Sequence, residues 1–131
     1  MGKTMTLQVT TIMLAVEDMD RSKKFYEGLG AKLGQDFPNF ASFELGGGSA
    51  MGIYPIDWAA KDAGVSAEGE GFRGVSFHFI VDSQEEVDEV IAKAVAGGGS
   101  VVREAEGAGW GGYFGYIADP DGHLWKIATA A

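Results

Sequence analysis

Two stretches of the chain repeat one succession of hydrophobic and polar positions. Residues 9–16 alternate as a strand, with Ile12, Leu14 and Val16 on one face and Thr11, Met13 and Ala15 on the other. Asp18 then opens a helix through about Leu29, whose apolar face carries Phe25, Tyr26 and Leu29, and Gly30 stops it. Farther on, residues 75–81 alternate in the same way. Phe77, Phe79 and Val81 fall on the face expected beneath a helix, and Ser76, His78 and Ile80 on the opposite face. Ser83 and Glu86 form an S-x-x-E capping box that opens a second helix through about Val95. Val87, Val90, Ile91, Ala94 and Val95 give it one apolar face, and Gly97-Gly98-Gly99 ends it.

Each helix is followed by three short strand candidates. In the first unit these are residues 31–36, 40–45 and 50–54, broken by Pro38-Asn39 and Gly46-Gly47-Gly48. In the second they are residues 100–104, 113–118 and 123–128, broken by residues 107–112 and by Asp119-Pro120-Asp121-Gly122. The order is β-α-β-β-β twice. The predicted fold is therefore α+β: two tandem βαβββ modules forming a shared cleft, in a single domain. Module one covers about residues 7–56, a linker rich in Gly, Ala and charge about 57–73, and module two about 74–129. In the last strand Trp125 and Ile127 point one way, and Leu124, Lys126 and Ala128 the other. The faces away from the helices mix small, polar and apolar residues, which suits a ligand cavity better than a dry core.

Composition narrows the function. Of 131 residues, 46% are hydrophobic and 22% charged, the balance of a soluble globular chain. Cysteine is absent, which excludes a disulfide scaffold, a thiolate metal site and thiol catalysis. Ten basic against 19 acidic residues give a net charge of −9, which disfavours nucleic acid and anionic membranes as partners. No apolar run approaches the ~20 residues of a membrane span. The first six residues lack the apolar stretch of a signal peptide, and a cytoplasmic location is expected. Gly2 and Thr6 match the loose myristoylation pattern, without a second lipid or polybasic signal beside them.

Several motifs are ambiguous or empty. Residues 107–112 satisfy G-x-G-x-x-G, but an aromatic strand follows where a dinucleotide site needs a helix. The segment is better suited to carry Trp110 to the cleft mouth. Trp110, Tyr113, Phe114 and Tyr116 fit strand packing and ligand stacking equally well. Trp58, in the linker, suits a binding or dimer surface. His123 occupies a turn in which an exposed polar residue is ordinary.

The stretch from Thr11 to Tyr26 with Gly30, residues 74–82, and residues 111–126 with their Asp-Pro-Asp-Gly-His-Leu-Trp run resemble the vicinal oxygen chelate superfamily. That superfamily includes glyoxalase I, bleomycin-binding proteins and extradiol dioxygenases. The resemblance implies the doubled βαβββ fold, and often a homodimer. It also implies divalent-metal ligands at the positions held here by Thr11, Ser76 and Lys126 and, by internal symmetry, Gly52. None of the four supplies an imidazole or carboxylate. His78 with an acid such as Glu44 gives too few ligands to rebuild the centre. No metal and no other cofactor are expected.

A binding protein and an enzyme both fit. The first is a metal-free protein that holds a small planar, oxygen-bearing molecule in the cleft among Thr11, Met13, Ser76, His78, Trp110, Tyr113 and Lys126. The second is a lyase, isomerase or dioxygenase-type enzyme, which without metal would use His78 as general base and Lys126 to stabilise an enolate or oxyanion. Ligand counting favours the first. The acidic chain attracts cations at long range, but salt screens that field within ~8 Å, so Lys126 favours an anionic or carbonyl group at contact.

Overall fold

The computed structural model describes residues 9–109 and 111–130; Gly2, Thr6 and Trp110 lie outside them. The first module runs β1 (Thr11–Val16), α1 (Met19–Gly28), β2 (Lys32–Phe37), β3 (Phe40–Glu44) and β4 (Ala50–Pro55). After an additional helix, α2 (Ile56–Ala63), the second runs β5 (Phe77–Ile80), α3 (Gln84–Ala96), β6 (Ser100–Gly107), β7 (Tyr113–Ala118) and β8 (Leu124–Thr129). Each module forms one four-stranded sheet, in the orders β1-β4-β3-β2 and β5-β8-β7-β6. The first strand of each lies parallel to the last, and the other pairings are antiparallel. No helix among the described residues is long and apolar enough to cross a membrane.

Local chemistry explains where the helices begin. Asp18 is extended and its carboxylate accepts from the Arg21 amide at 3.0 Å, satisfying a donor that the first turn of α1 leaves unpaired. Ser83 does the same for α3, accepting from the Glu86 amide at 3.1 Å while its hydroxyl reaches the Glu86 carboxylate at 3.2 Å. Ser83→Ala is expected to cost about 1 kcal/mol in urea denaturation, the usual value of a lost N-cap.

The alternation predicted for β1 holds: Leu14 and Val16 are buried, with Ile12 packed against them, and Met13 is exposed. The helix-covered faces of both sheets merge into one core. Leu14, Phe25, Tyr26 and Phe43 of the first module belong to the same buried cluster as Val87, Ile117 and Ile127 of the second.

Two expectations need correction. The span expected as linker contains α2, stopped by Gly64 in the left-handed conformation at φ 77°. Its start and stop signals were present, Asp57 in the first turn and Gly64 at the end, but eight residues are too few to show a helical period. Phe79 shares the helix-covered parity of β5 yet is 40% exposed. Helix α3 packs over β6, β7 and β8, so the outer strand β5 extends beyond its cover.

Candidate functional site

The open face of the second sheet gathers three of the expected ligand residues. His78 on β5 is the direct neighbour of Lys126 on β8, and Lys126 is in turn opposite Tyr116 on β7. Ser76, just before β5, has its hydroxyl 3.4 Å from His78 Nε2. Phe114 lies on the same face between two cations, with Arg103 Cζ 4.6 Å and Lys126 Nζ 4.5 Å from its ring centre. Its ring quadrupole favours such placement. Arg103 is also held by Glu106 at 3.0 Å. The face is therefore a cationic and aromatic surface within an acidic chain.

On the first sheet, Thr11 and Met13 share the open face of β1, and Met13 pairs with Gly52 of β4. A Cβ at Gly52 would lie 3.2 Å from Met13 Cε and 3.1 Å from the Phe40 ring, so these side chains fill the space over the glycine. Phe40, Tyr54 and Trp58 continue as edge-to-face rings at 6.4 and 6.2 Å. Trp58, on α2, is half exposed at the end of this run.

Tyr113 does not stand where the cleft reading placed it. It pairs with Thr129 on the helix-covered parity, and its hydroxyl donates to Asp88 of α3 at 2.7 Å. That bond holds its phenol pKa above the ordinary value. The loop before β7 gave no register, so sequence parity could not separate Tyr113 from Phe114 beside it.

His123 is also not a free turn residue. Its Nε2 lies 2.8 Å from the Ala15 carbonyl oxygen. A carbonyl only accepts, so Nε2 carries the proton. The whole Asp-Pro-Asp-Gly-His turn is a latch onto the first module. Asp119, 3% exposed, accepts from the buried Tyr26 hydroxyl at 2.7 Å and from the amides of Asp121 and His123 at 2.9 and 2.8 Å. Trp125 Nε1 donates to the same hydroxyl at 3.2 Å. Burial, reinforced by the charge of Asp119, pushes the Tyr26 phenol far above its usual pKa. Asp121 accepts from the Glu17 amide and from Arg21, both at 2.9 Å, and from Ser22 at 3.2 Å. Beside this latch a cavity of about 410 Å³ opens at the seam between modules. Of the expected ligand residues among those described, only Met13 lines it.

The donor set does not suit a divalent metal. The four positions implied for ligands hold Thr11, Gly52, Ser76 and Lys126, and Lys126 places positive charge beside His78. Glu44 is paired with Lys32 at 3.5 Å. Among the described residues no group of three or more His, Asp or Glu side chains could hold an ion.

Known proteins resemble the chain along nearly its whole length. The family model of the Glyoxalase/Bleomycin resistance protein/Dioxygenase superfamily matches residues 8–127. None of the curated proteins matches significantly. A glyoxalase-related enzyme from Fulvimarina pelagi is 30% identical, with 95% of this chain and 88% of that one covered at a TM-score of 0.85. A glyoxalase/bleomycin resistance protein/dioxygenase family enzyme from Burkholderia phytofirmans shares the fold at 20% identity and a TM-score of 0.82, over 93% and 98% of the chains. A glyoxalase/bleomycin resistance protein/dioxygenase from Nocardioides is 25% identical at a TM-score of 0.71, over 97% and 85%. With the doubled βαβββ order, these matches establish that the chain belongs to the Glyoxalase/Bleomycin resistance protein/Dioxygenase superfamily.

Proposed function

We propose that the protein binds a small planar, oxygen-bearing molecule without a divalent metal, on the open face of its second sheet. The observation that carries this is the replacement of metal-donor chemistry by cationic and aromatic chemistry. Lys126 stands at an implied ligand position, beside His78 and over the Phe114 ring. An ammonium can meet a carbonyl or phenolate oxygen directly, the task a metal performs elsewhere in the superfamily. Ser76 and His78 add a hydroxyl and an imidazole at the same edge. The adjacency of His78 and Lys126 also supports a metal-free enzyme, in which His78 takes a proton and Lys126 stabilises the resulting oxyanion.

Titration of isotope-labelled protein with 4-nitrophenolate tests the binding proposal by NMR. Shifts are expected at the amides of Ser76, His78, Tyr116 and Lys126, and Lys126→Glu is expected to weaken binding about tenfold. Unchanged affinity in that variant, or near-stoichiometric zinc, nickel, manganese or iron in protein purified without chelator, would overturn the proposal. Time-dependent conversion of a bound carbonyl compound that His78→Gln abolishes would favour the enzyme.

A further inference from the structure

The seam cavity is separate from the open face just described, and its chemistry is different. Three consecutive residues of β1, Ile12, Met13 and Leu14, line it. Neighbouring side chains on a strand point to opposite faces, so a cavity touching all three runs along the strand's edge. Among the described residues that edge pairs with no other strand, because β1 is the outermost strand of its sheet, and β5 is outermost in the other. An outermost strand leaves backbone N–H and C=O groups available for a partner. Leu124, Val75 and Phe77 supply apolar wall from the second module.

Arg73 is the one Lys or Arg among the described residues that line this cavity. Among the described residues Arg73 has no acidic partner, in a chain with 19 acids against ten bases. Its guanidinium is placed by the segment before β5. A Cβ built on Gly69 would fall 2.5 Å from Arg73 Cζ, so the group rests against bare backbone that only glycine leaves open. Gly71 and Gly74, on either side of Arg73, have φ of 74° and 86°, a conformation favoured by glycine, and hold the bend.

We infer that the seam cavity is a binding site for a monocarboxylate with a compact apolar or aromatic tail, held by Arg73. One guanidinium neutralises one carboxylate and matches its two oxygens with a fork of donors. A phosphate dianion would leave a charge unmatched beside an apolar wall in a net-negative chain. A cation would meet Arg73 itself. The volume, about 410 Å³, lies within the range of small-ligand sites.

The test is titration of the full chain with benzoate and with its neutral analogue benzamide, followed by amide shifts and calorimetry. Benzoate is expected to shift the amides of residues 12–14, 73–77 and 122–124, and to bind about tenfold more tightly than benzamide. Arg73→Gln is expected to erase that preference. Gly69→Ala, which keeps the guanidinium but displaces it, is expected to reduce the preference. Val75→Trp is expected to block both ligands, and Val75 is 61% exposed, so the fold tolerates the change. Saturating the open face with 4-nitrophenolate is expected to leave the benzoate shifts at residues 12–14 and 122–124 in place, which separates this site from the open face. Equal affinity for the two probes, a preference that survives Arg73→Gln, or shifts confined to His78 and Lys126 would overturn the inference.

Discussion

Replacing Asp119 by alanine is expected to destabilise the protein by about 3–4 kcal/mol. For a domain of this size that is roughly 10–15 °C in Tm. The carboxylate is almost wholly buried and joins the two modules through the Tyr26 hydroxyl, while its other oxygen accepts two amides of its own turn. Alanine leaves those donors without a partner, and water does not reach Tyr26, which is 2% exposed, to replace it. Asp119→Asn keeps one acceptor oxygen for the turn amides and presents an NH₂ to the Tyr26 oxygen. Its expected loss is smaller, about 1–2 kcal/mol. Urea denaturation of both variants checks the order. A loss below 1 kcal/mol for Asp119→Ala, or equal losses for the two, would show that the latch does not hold the modules together.

The latch also marks where sequence reasoning stopped. The repeat of strand, capped helix and three strands was legible because each signal is local: a period of two, a period near 3.6, Asp18 or Ser83 at a helix start, glycines at the ends. Face assignments on β1 and β8 followed from the same parity, and Ser76, His78 and Lys126 do share the open side of their sheet. Tyr26 and Asp119 are 93 residues apart, and no periodicity connects them. Tyr26 read as part of an apolar helix face, and Asp119 as the opening of a turn. Each is both, and the bond between them is what neither pattern contains. Arg73 was invisible for a related reason. Its meaning comes from a cavity that two strand edges create only after the modules dock.

The glycine triplet after α3 gives the second large effect, and its three members are expected to respond differently to alanine. Read as sequence, Gly97-Gly98-Gly99 is one helix stop. Gly97 has φ −87° and ψ 3°, and a Cβ there would sit no closer than 3.4 Å to any neighbour, so Gly97→Ala is expected to change stability by less than about 0.5 kcal/mol. Gly98 has φ 104° with its nearest neighbour 3.9 Å away; Gly98→Ala meets backbone strain alone, about 1 kcal/mol. At Gly99 the added carbon would lie 2.7 Å from the Ala118 carbonyl oxygen, 2.8 Å from Phe25 Cε1 and 3.0 Å from the Ala94 carbonyl oxygen. Two of these are backbone atoms fixed by α3 and β7, and the third belongs to a ring that is 1% exposed. No neighbour yields cheaply, so Gly99→Ala is expected to cost about 3 kcal/mol, at the upper end for overpacking. The clash would push Phe25 of the first module away from the second, and a shift in near-ultraviolet circular dichroism should accompany the lower denaturation midpoint. If Gly99→Ala proves no worse than Gly98→Ala, Phe25 does not pack into this turn and the joint between the modules lies elsewhere.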